Sequence, residues 1–343
     1  MSTQEKSIRV IFFNIKSFEK DFFQKAASLS KFEETPFDFV FLADELNKST
    51  APFSKGFDAV CISAQDHVTD EIVKILAESG VKLIALRSAG YNNIELSEQT
   101  KTLPIVHIPS YSPYSTAEFA VAMLQALNRK IYKAYNRTRD ENFDITGLVG
   151  TEIHGKTVGI IGAGKIGKIA ADIFKGFGAK VLLNSLHQNP VLGQEQNADY
   201  VNIEEIFKNS EYIFLFCPLT QETRHIINSK CISLMKKDVL IVNTGRTALI
   251  DTAAILSALT SDRIKGLAMD IFEEDTKNLF DDWSASPIQD ENTEKLLKLK
   301  NVLVTNHQGY LTEENLNLIA KTTLESIVAI LNGEPCEQLL EIK

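Results

Sequence analysis

Residues 157 to 167, Thr-Val-Gly-Ile-Ile-Gly-Ala-Gly-Lys-Ile-Gly, leave this chain few ways to fold. Val158, Ile160 and Ile161 read as a buried parallel strand, after which Gly162, Gly164 and Gly167 open an amphipathic stretch running to Phe177. This is the G-x-G-x-x-G spacing of a strand, a tight turn and a helix that receives a pyrophosphate. Gly162 permits the turn, Gly164 lets a phosphate approach the backbone, and Gly167 lets the helix lie close to the strand. The first turn of the helix offers the phosphates unpaired N–H groups and a partial positive charge. The spacing therefore predicts a dinucleotide-binding unit.

The rest of the chain repeats the alternation of strand and helix. Strands are expected at 9–14, 38–43, 58–63, 82–87 and 104–108, with helices at 17–27 and 70–79; this first unit ends near Pro109. After the glycine turn, strands are expected near 181–184, 212–216, 239–243, 266–270 and 302–305, with helices at 203–208, 229–235 and 251–259. Alternation of this kind implies an α/β fold with two doubly wound parallel sheets. A chain of 343 residues also exceeds one ordinary core. Between the units, Phe119, Ala122, Met123, Ala126, Leu127 and Ile131 predict one long helix over 114–135, and the polar residues 136–155 read as a connection. Residues 275–292 read as a polar, irregular insertion carrying Trp283; a last helix over 313–332 is closed by Gly333 and Pro335.

A formal charge of −9 argues against non-specific binding to nucleic acid or to anionic membranes. Cys61, Cys217, Cys231 and Cys336 are scattered, without metal-ligand or C-x-x-C spacing, and read as reduced thiols. No metal site is expected. The opening MSTQEKSIRV lacks the apolar core of a signal peptide and no stretch reads as a membrane span, so a cytoplasmic protein is expected.

Seven segments together resemble the D-isomer-specific 2-hydroxyacid dehydrogenases, and within them the fermentative D-lactate branch. They are LRSAGYNNIEL (86–96), IPSYSPYSTAEFAVAMLQALNRKI (108–131), YNRTRDENFDITGLVGTEIHGKTVGIIGAGKIG (135–167), CPLTQETRHIIN (217–228), LIVNTGRTALID (240–251), GLAMDIFEED (266–275) and NVLVTNHQGYLT (301–312). The resemblance implies a Rossmann nucleotide domain, 112–308, inserted into a flavodoxin-like substrate domain formed by 1–111 and 309–343. It also implies an active site in the cleft between them, and a homodimer built through the long helix.

The same resemblance assigns residues to the chemistry of reducing a 2-oxo acid with NADH. His307 matches the proton donor, and Arg246 matches the arginine whose fork holds the substrate carboxylate and polarises the ketone. Ser88, Ala89 and Gly90, at the end of a strand, resemble a backbone cradle for that carboxylate, with Tyr111 lining the pocket. Spacing alone leaves a plain turn equally open there. The nucleotide is expected on Gly162, Gly164, Lys165, Ile166, Gly167, Ser185, Cys217, Pro218, Thr223, Thr244, Gly245 and Asp270.

Two positions depart from the family pattern. The glutamate that should support the histidine falls at Asp275, one methylene shorter, with Glu274 as a substitute. The acidic residue that should grip the adenosine ribose falls at Ser185. Without that carboxylate a 2′-phosphate is no longer repelled, yet only His187 stands near to attract one, so NAD(H) is expected with NADP(H) tolerance left open. Pyruvate or a similar small 2-oxo acid is the expected substrate, the segment Phe280, Asp281, Asp282 and Trp283 resembling the D-lactate branch. Two alternatives stand beside it: a dehydrogenase for bulkier 2-oxo acids, and a non-catalytic, dinucleotide-sensing protein resembling the family's co-repressors.

Overall fold

The computed structural model describes residues 7–33, 35–185, 198–270 and 291–341. The chain separates into two compact units, Met1–Ser112 with Thr312–Lys343, and Pro113–Leu311.

The first unit runs β1 (Ile8–Phe12), α1 (Ser17–Ala27), β2 (Phe37–Phe41), β3 (Ala59–Ile62), α2 (Asp70–Glu78), β4 (Leu83–Leu86) and β5 (Ile105–His107). Its five strands are all parallel in the order β2-β1-β3-β4-β5, the flavodoxin-like order. Short continuous apolar runs such as Ala59–Ile62 and Leu83–Leu86 are buried on both faces, as a parallel sheet requires. Phe12 packs edge-on against Phe23 of α1, with ring centroids 4.7 Å apart.

The second unit opens with α3 (Pro113–Asn128) and α4 (Ile131–Arg139), where one long helix was expected. The helical path is broken at Lys130, whose φ of 52° is left-handed. Asn128 supplies the cause. Its buried side chain donates to Thr151 O at 2.6 Å and accepts from Thr151 N at 3.1 Å and Oγ1 at 2.9 Å, tying the end of α3 to the segment that enters the sheet. Helical structure then resumes through Arg139, so the segment expected as pure connection from 136 is partly helix.

The chain continues through β6 (Thr157–Ile161), α5 (Lys165–Gly176), β7 (Lys180–Asn184), β8 (Asp199–Tyr200), α6 (Ile203–Asn209), β9 (Tyr212–Leu215), α7 (Ser229–Leu234), β10 (Leu240–Asn243), α8 (Thr252–Thr260), β11 (Gly266–Met269), α9 (Glu291–Lys298) and β12 (Val302–Val304). The strands form a seven-stranded parallel sheet, β12-β11-β10-β9-β6-β7-β8, with the Rossmann reversal between β9 and β6. Alternate residues feed two cores. Tyr212, Phe214, Leu240 and Val242 face one cluster with α3 and α5, whereas Ile213, Leu215 and Ile241 face the other with α6 and α8. The two-residue β8 was not expected from the sequence, being too short to carry a periodic signal. Of the expected insertion, residues 275–290 lie outside the described residues and 291–292 begin α9.

The last helix, α10 (Glu313–Asn332), returns to the first unit and packs against α1, β4 and β5. It ends at Gly333, φ 73°, as its sequence predicts. The tail then pairs with β5, His107 N donating to Gln338 O at 3.0 Å and Leu340 N to Ile105 O at 2.8 Å, which covers an otherwise open sheet edge. No helix of the described residues is long and apolar enough to cross a membrane, and among them no group of His, Cys, Asp and Glu could hold a metal ion.

Candidate active site

The three glycines of the central turn meet three different surroundings. At Gly162, φ is 103°, and a Cβ would lie 2.4 Å from Cys217 N. At Gly167 a Cβ would lie 2.2 Å from Gly162 O, so the helix sits directly on the turn. At Gly164, which caps α5 without any side-chain hydrogen bond, a Cβ would meet nothing within 4 Å. The protein itself therefore demands glycine at 162 and 167, and the open space above Gly164 has the form of a ligand cradle. Lys165 is exposed at the start of α5, and Ile166 packs on the core.

Around this turn, β7 ends in Asn184 and is followed by Ser185, with no carboxylate at either position, while His187 lies outside the described residues. Cys217 is half-buried, and burial pushes its thiol up, so it stays protonated at neutral pH. Thr223 donates from Oγ1 to Pro218 O at 2.7 Å and fastens the loop that follows. Thr244, just past β10, holds a buried hydroxyl with no hydrogen-bond partner among the described residues.

The carboxyl ends of β10, β11 and β12 lie side by side and carry the charged groups. Asn243 ends β10. Its Oδ1 accepts from Gly245 N at 3.0 Å and its Nδ2 donates to Arg246 O at 3.0 Å, closing the turn that presents Arg246. Asp270 follows β11 and is 1% exposed. One carboxylate oxygen accepts from Thr305 Oγ1 at 2.7 Å and Gln308 N at 2.8 Å, the other from Gly309 N at 2.7 Å. A Cβ on Gly309 would come within 3.0 Å of that second oxygen, which explains the glycine. These bonds strap down the loop carrying His307, whose own N–H donates to Asp270 O.

His307 has a φ of 54°, a left-handed conformation of the kind stored at functional sites. Its pKa is lowered from the ordinary histidine value, first by burial and also by the Arg246 guanidinium, with the Asp270 carboxylate opposing. Both residues belong to the second unit, and the Arg246 guanidinium disfavours the charged form of His307. Asp275, Glu274 and the segment 280–283 lie outside the described residues.

In the first unit, Ser88 Oγ donates to Gly90 O at 2.8 Å, and Ala89 N donates to the Tyr111 hydroxyl at 3.0 Å. Ser88 O accepts from Ile108 N at 3.1 Å. Tyr111 therefore meets the Ser88–Gly90 loop as the sequence pairs them, but by holding an N–H of the loop.

A family model described as D-isomer specific 2-hydroxyacid dehydrogenase, NAD binding domain, matches residues 121–309. The chain belongs to that family. Among its relatives, 2-hydroxyacid dehydrogenase homolog 2 of Schizosaccharomyces pombe is 42% identical over 93% of this chain and 95% of its own length. D-lactate dehydrogenase of Escherichia coli is 39% identical over 96% of this chain and 98% of its own. A solved structure described as the pyruvate reductase of Chlamydomonas reinhardtii superposes with a TM-score of 0.91 at 36% identity, covering 96% of this chain and 98% of that one. The chain is an oxidoreductase with an NAD-binding domain.

The residues of this 2-hydroxyacid dehydrogenase fit NAD: the cradle at Gly164, the uncapped start of α5 and the orphaned Thr244 hydroxyl each leave room or hydrogen-bonding capacity for a ligand. Sequence reasoning did not find Asn243, though a lone amide ending the apolar run of β10 is a signal for it. Asp270, expected as a nucleotide contact, also holds the His307 loop through both its carboxylate oxygens.

The glycines give a paired test. Gly164→Ala keeps the thermal midpoint close to wild type without cofactor but weakens NADH binding by roughly tenfold or more, because the methyl fills only the cradle. Gly162→Ala lowers the thermal midpoint itself. Differential scanning fluorimetry and NADH fluorescence titration read both; unchanged NADH affinity in Gly164→Ala contradicts the cradle.

Proposed function

We propose that this chain is an NADH-dependent D-lactate dehydrogenase that reduces pyruvate, or a similarly small 2-oxo acid, to the D-2-hydroxy acid. The observation that carries the reading is that Arg246 and His307 follow β10 and β12, the strands on either side of β11, with the guanidinium acting on the charge of the imidazole. Relatives named D-lactate dehydrogenase and a neighbour named pyruvate reductase support the substrate class.

Arg246 holds the substrate carboxylate by its guanidinium fork and polarises the ketone oxygen. The Ser88–Gly90 backbone cradles the carboxylate, and Tyr111 fixes that loop. NADH, when bound, supplies the hydride. Gly162, Gly164, Lys165, Ile166 and Gly167 would hold the nucleotide, with Ser185, Cys217, Pro218, Thr223, Thr244, Gly245 and Asp270 around it. His307 gives its proton to the carbonyl oxygen as the hydride reaches carbon. Free His307 is biased to the neutral form, but a carboxylate opposite Arg246 offsets that guanidinium and favours the imidazolium. Asp275 supports the same protonated form.

The sign of the pH dependence follows. Reduction requires protonated His307, so its kcat/KM falls as pH rises, with a midpoint below the ordinary histidine value, and D-lactate oxidation rises through the same midpoint. The test is NADH and NADPH oxidation across pyruvate, 2-oxobutyrate, 2-oxoisocaproate and phenylpyruvate, with a pH profile for the best substrate and for Asp275→Asn. Fastest turnover with pyruvate and NADH, and a midpoint moved lower in Asp275→Asn, is the expected result. Fastest turnover with phenylpyruvate makes it a dehydrogenase for bulkier acids. NADH binding without turnover of any acid moves it to the dinucleotide-sensing reading.

The proposal includes a cytoplasmic homodimer. Ile131, Tyr135, Phe143, Ile145 and Val149 are 54% to 82% exposed on α4 and the arm after it, an apolar surface that a second copy of the chain would cover. Sedimentation is expected to give twice the 38.2 kDa chain mass, and Phe143→Asp with Ile145→Asp to lower it toward that of one chain. A wild-type protein sedimenting as one chain contradicts the dimer.

A further inference from the structure

Arg87 immediately precedes the Ser88–Gly90 loop, yet its side chain turns away into the first unit and is 5% exposed. Burying a guanidinium is costly unless its donors are matched. Here they are. Nε donates to Glu19 Oε1 at 3.2 Å, Nη2 to Asn14 O at 3.2 Å, and Nη1 to Phe13 O at 3.3 Å and Cys61 O at 3.4 Å.

The three carbonyl acceptors lie at the carboxyl ends of β1 and β3, which with β4 form a consecutive run in the sheet order. One planar group therefore binds three adjacent strand ends together, at the edge where parallel sheets hold their ligand loops. Glu19 completes the clamp. Its other carboxylate oxygen accepts from Lys16 N at 2.8 Å, which fixes the start of α1 beside the same edge. Asp66, also buried, accepts from Leu46 N and Ser63 N and favours the charged form of Arg87. Cys61, the remaining neighbour, is held as a neutral thiol, pushed up to about 12 by burial.

An apolar residue at 87 would satisfy the core at lower desolvation cost, so the ion cluster calls for a purpose beyond packing. We propose that Arg87, tethered by Glu19, is a positioning residue that pre-sets the Ser88–Gly90 backbone to receive the substrate carboxylate. The inference rests on the 2-oxo acid reading above. Lysine cannot replace it, because a single ammonium cannot serve strand carbonyls and Glu19 at once in the fork's geometry.

The experiment compares wild type, Arg87→Lys and Glu19→Gln by KM for pyruvate, KM for NADH, kcat, and the Kd of oxamate, a pyruvate-shaped carboxylate, for the enzyme–NADH complex. Arg87→Lys is expected to raise the pyruvate KM and the oxamate Kd together by roughly tenfold, with NADH KM within about twofold of wild type. Glu19→Gln, which keeps an acceptor but removes the charge, raises both by about threefold and covers the case in which Arg87→Lys does not fold. A thermal midpoint that falls while pyruvate KM and oxamate Kd stay at wild type in the folded variants overturns the proposal and leaves Arg87 merely structural. Failure of the parent reading looks different: wild type itself then turns over no 2-oxo acid, and the proposal falls with it.

Discussion

A single buried carboxylate sets the chemistry of the second unit. Asp270 accepts from Thr305, Gln308 and Gly309 and thereby determines where the loop after β12 can run. Each such bond to a charged acceptor contributes about 1.5–3 kcal/mol. That support is enough to hold His307 in a left-handed backbone conformation costing about 1–3 kcal/mol. The neighbouring strand end depends on the same point, since Asp270 N donates to Asn243 O and Asn243 closes the turn of Arg246. The backbones that carry His307 and Arg246 are thus fixed through one connected set of hydrogen bonds.

The first unit uses a related device. Arg87 gathers strand ends beneath the Ser88–Gly90 loop as Asp270 gathers the loop ends of the second unit. In both, a buried charge with matched partners lies at the carboxyl edge of a parallel sheet. Buried ion networks add little net stability on average but make one arrangement much better than its neighbours. For a family that binds a small anion and transfers a hydride, that rigidity matters more than total stability.

Much of the fold was legible because parallel strands and amphipathic helices write strong periodic signals. The glycine turn, the alternating units and the Gly333 stop all reflect local rules. The break at Lys130 did not, since the apolar stripe of α3 continues to Ile131 and only the distant Thr151 shows why the helix ends. In the site, the sequence proposes His307 and Arg246 only through segments that resemble the family. The hold of Asp270 on the His307 loop was not legible, because two of the carboxylate's partners are backbone N–H groups that no sequence spells out. Arg87 was passed over for the same reason: an arginine after an apolar strand reads as surface until the carbonyls around it are seen.

The most direct test is a histidine-resolved NMR titration of wild type and Asp270→Asn, with kcat measured on the same samples. Asparagine offers one acceptor oxygen and an NH2 group that opposes an N–H or O–H donor, so it cannot hold Thr305, Gln308 and Gly309 together. In Asp270→Asn the His307 midpoint is expected to move further below the ordinary histidine value, since a carboxylate that raises it is gone, and kcat to fall on the order of a hundredfold in a protein that remains folded. A folded Asp270→Asn variant with an unmoved His307 midpoint and wild-type kcat would contradict that expectation.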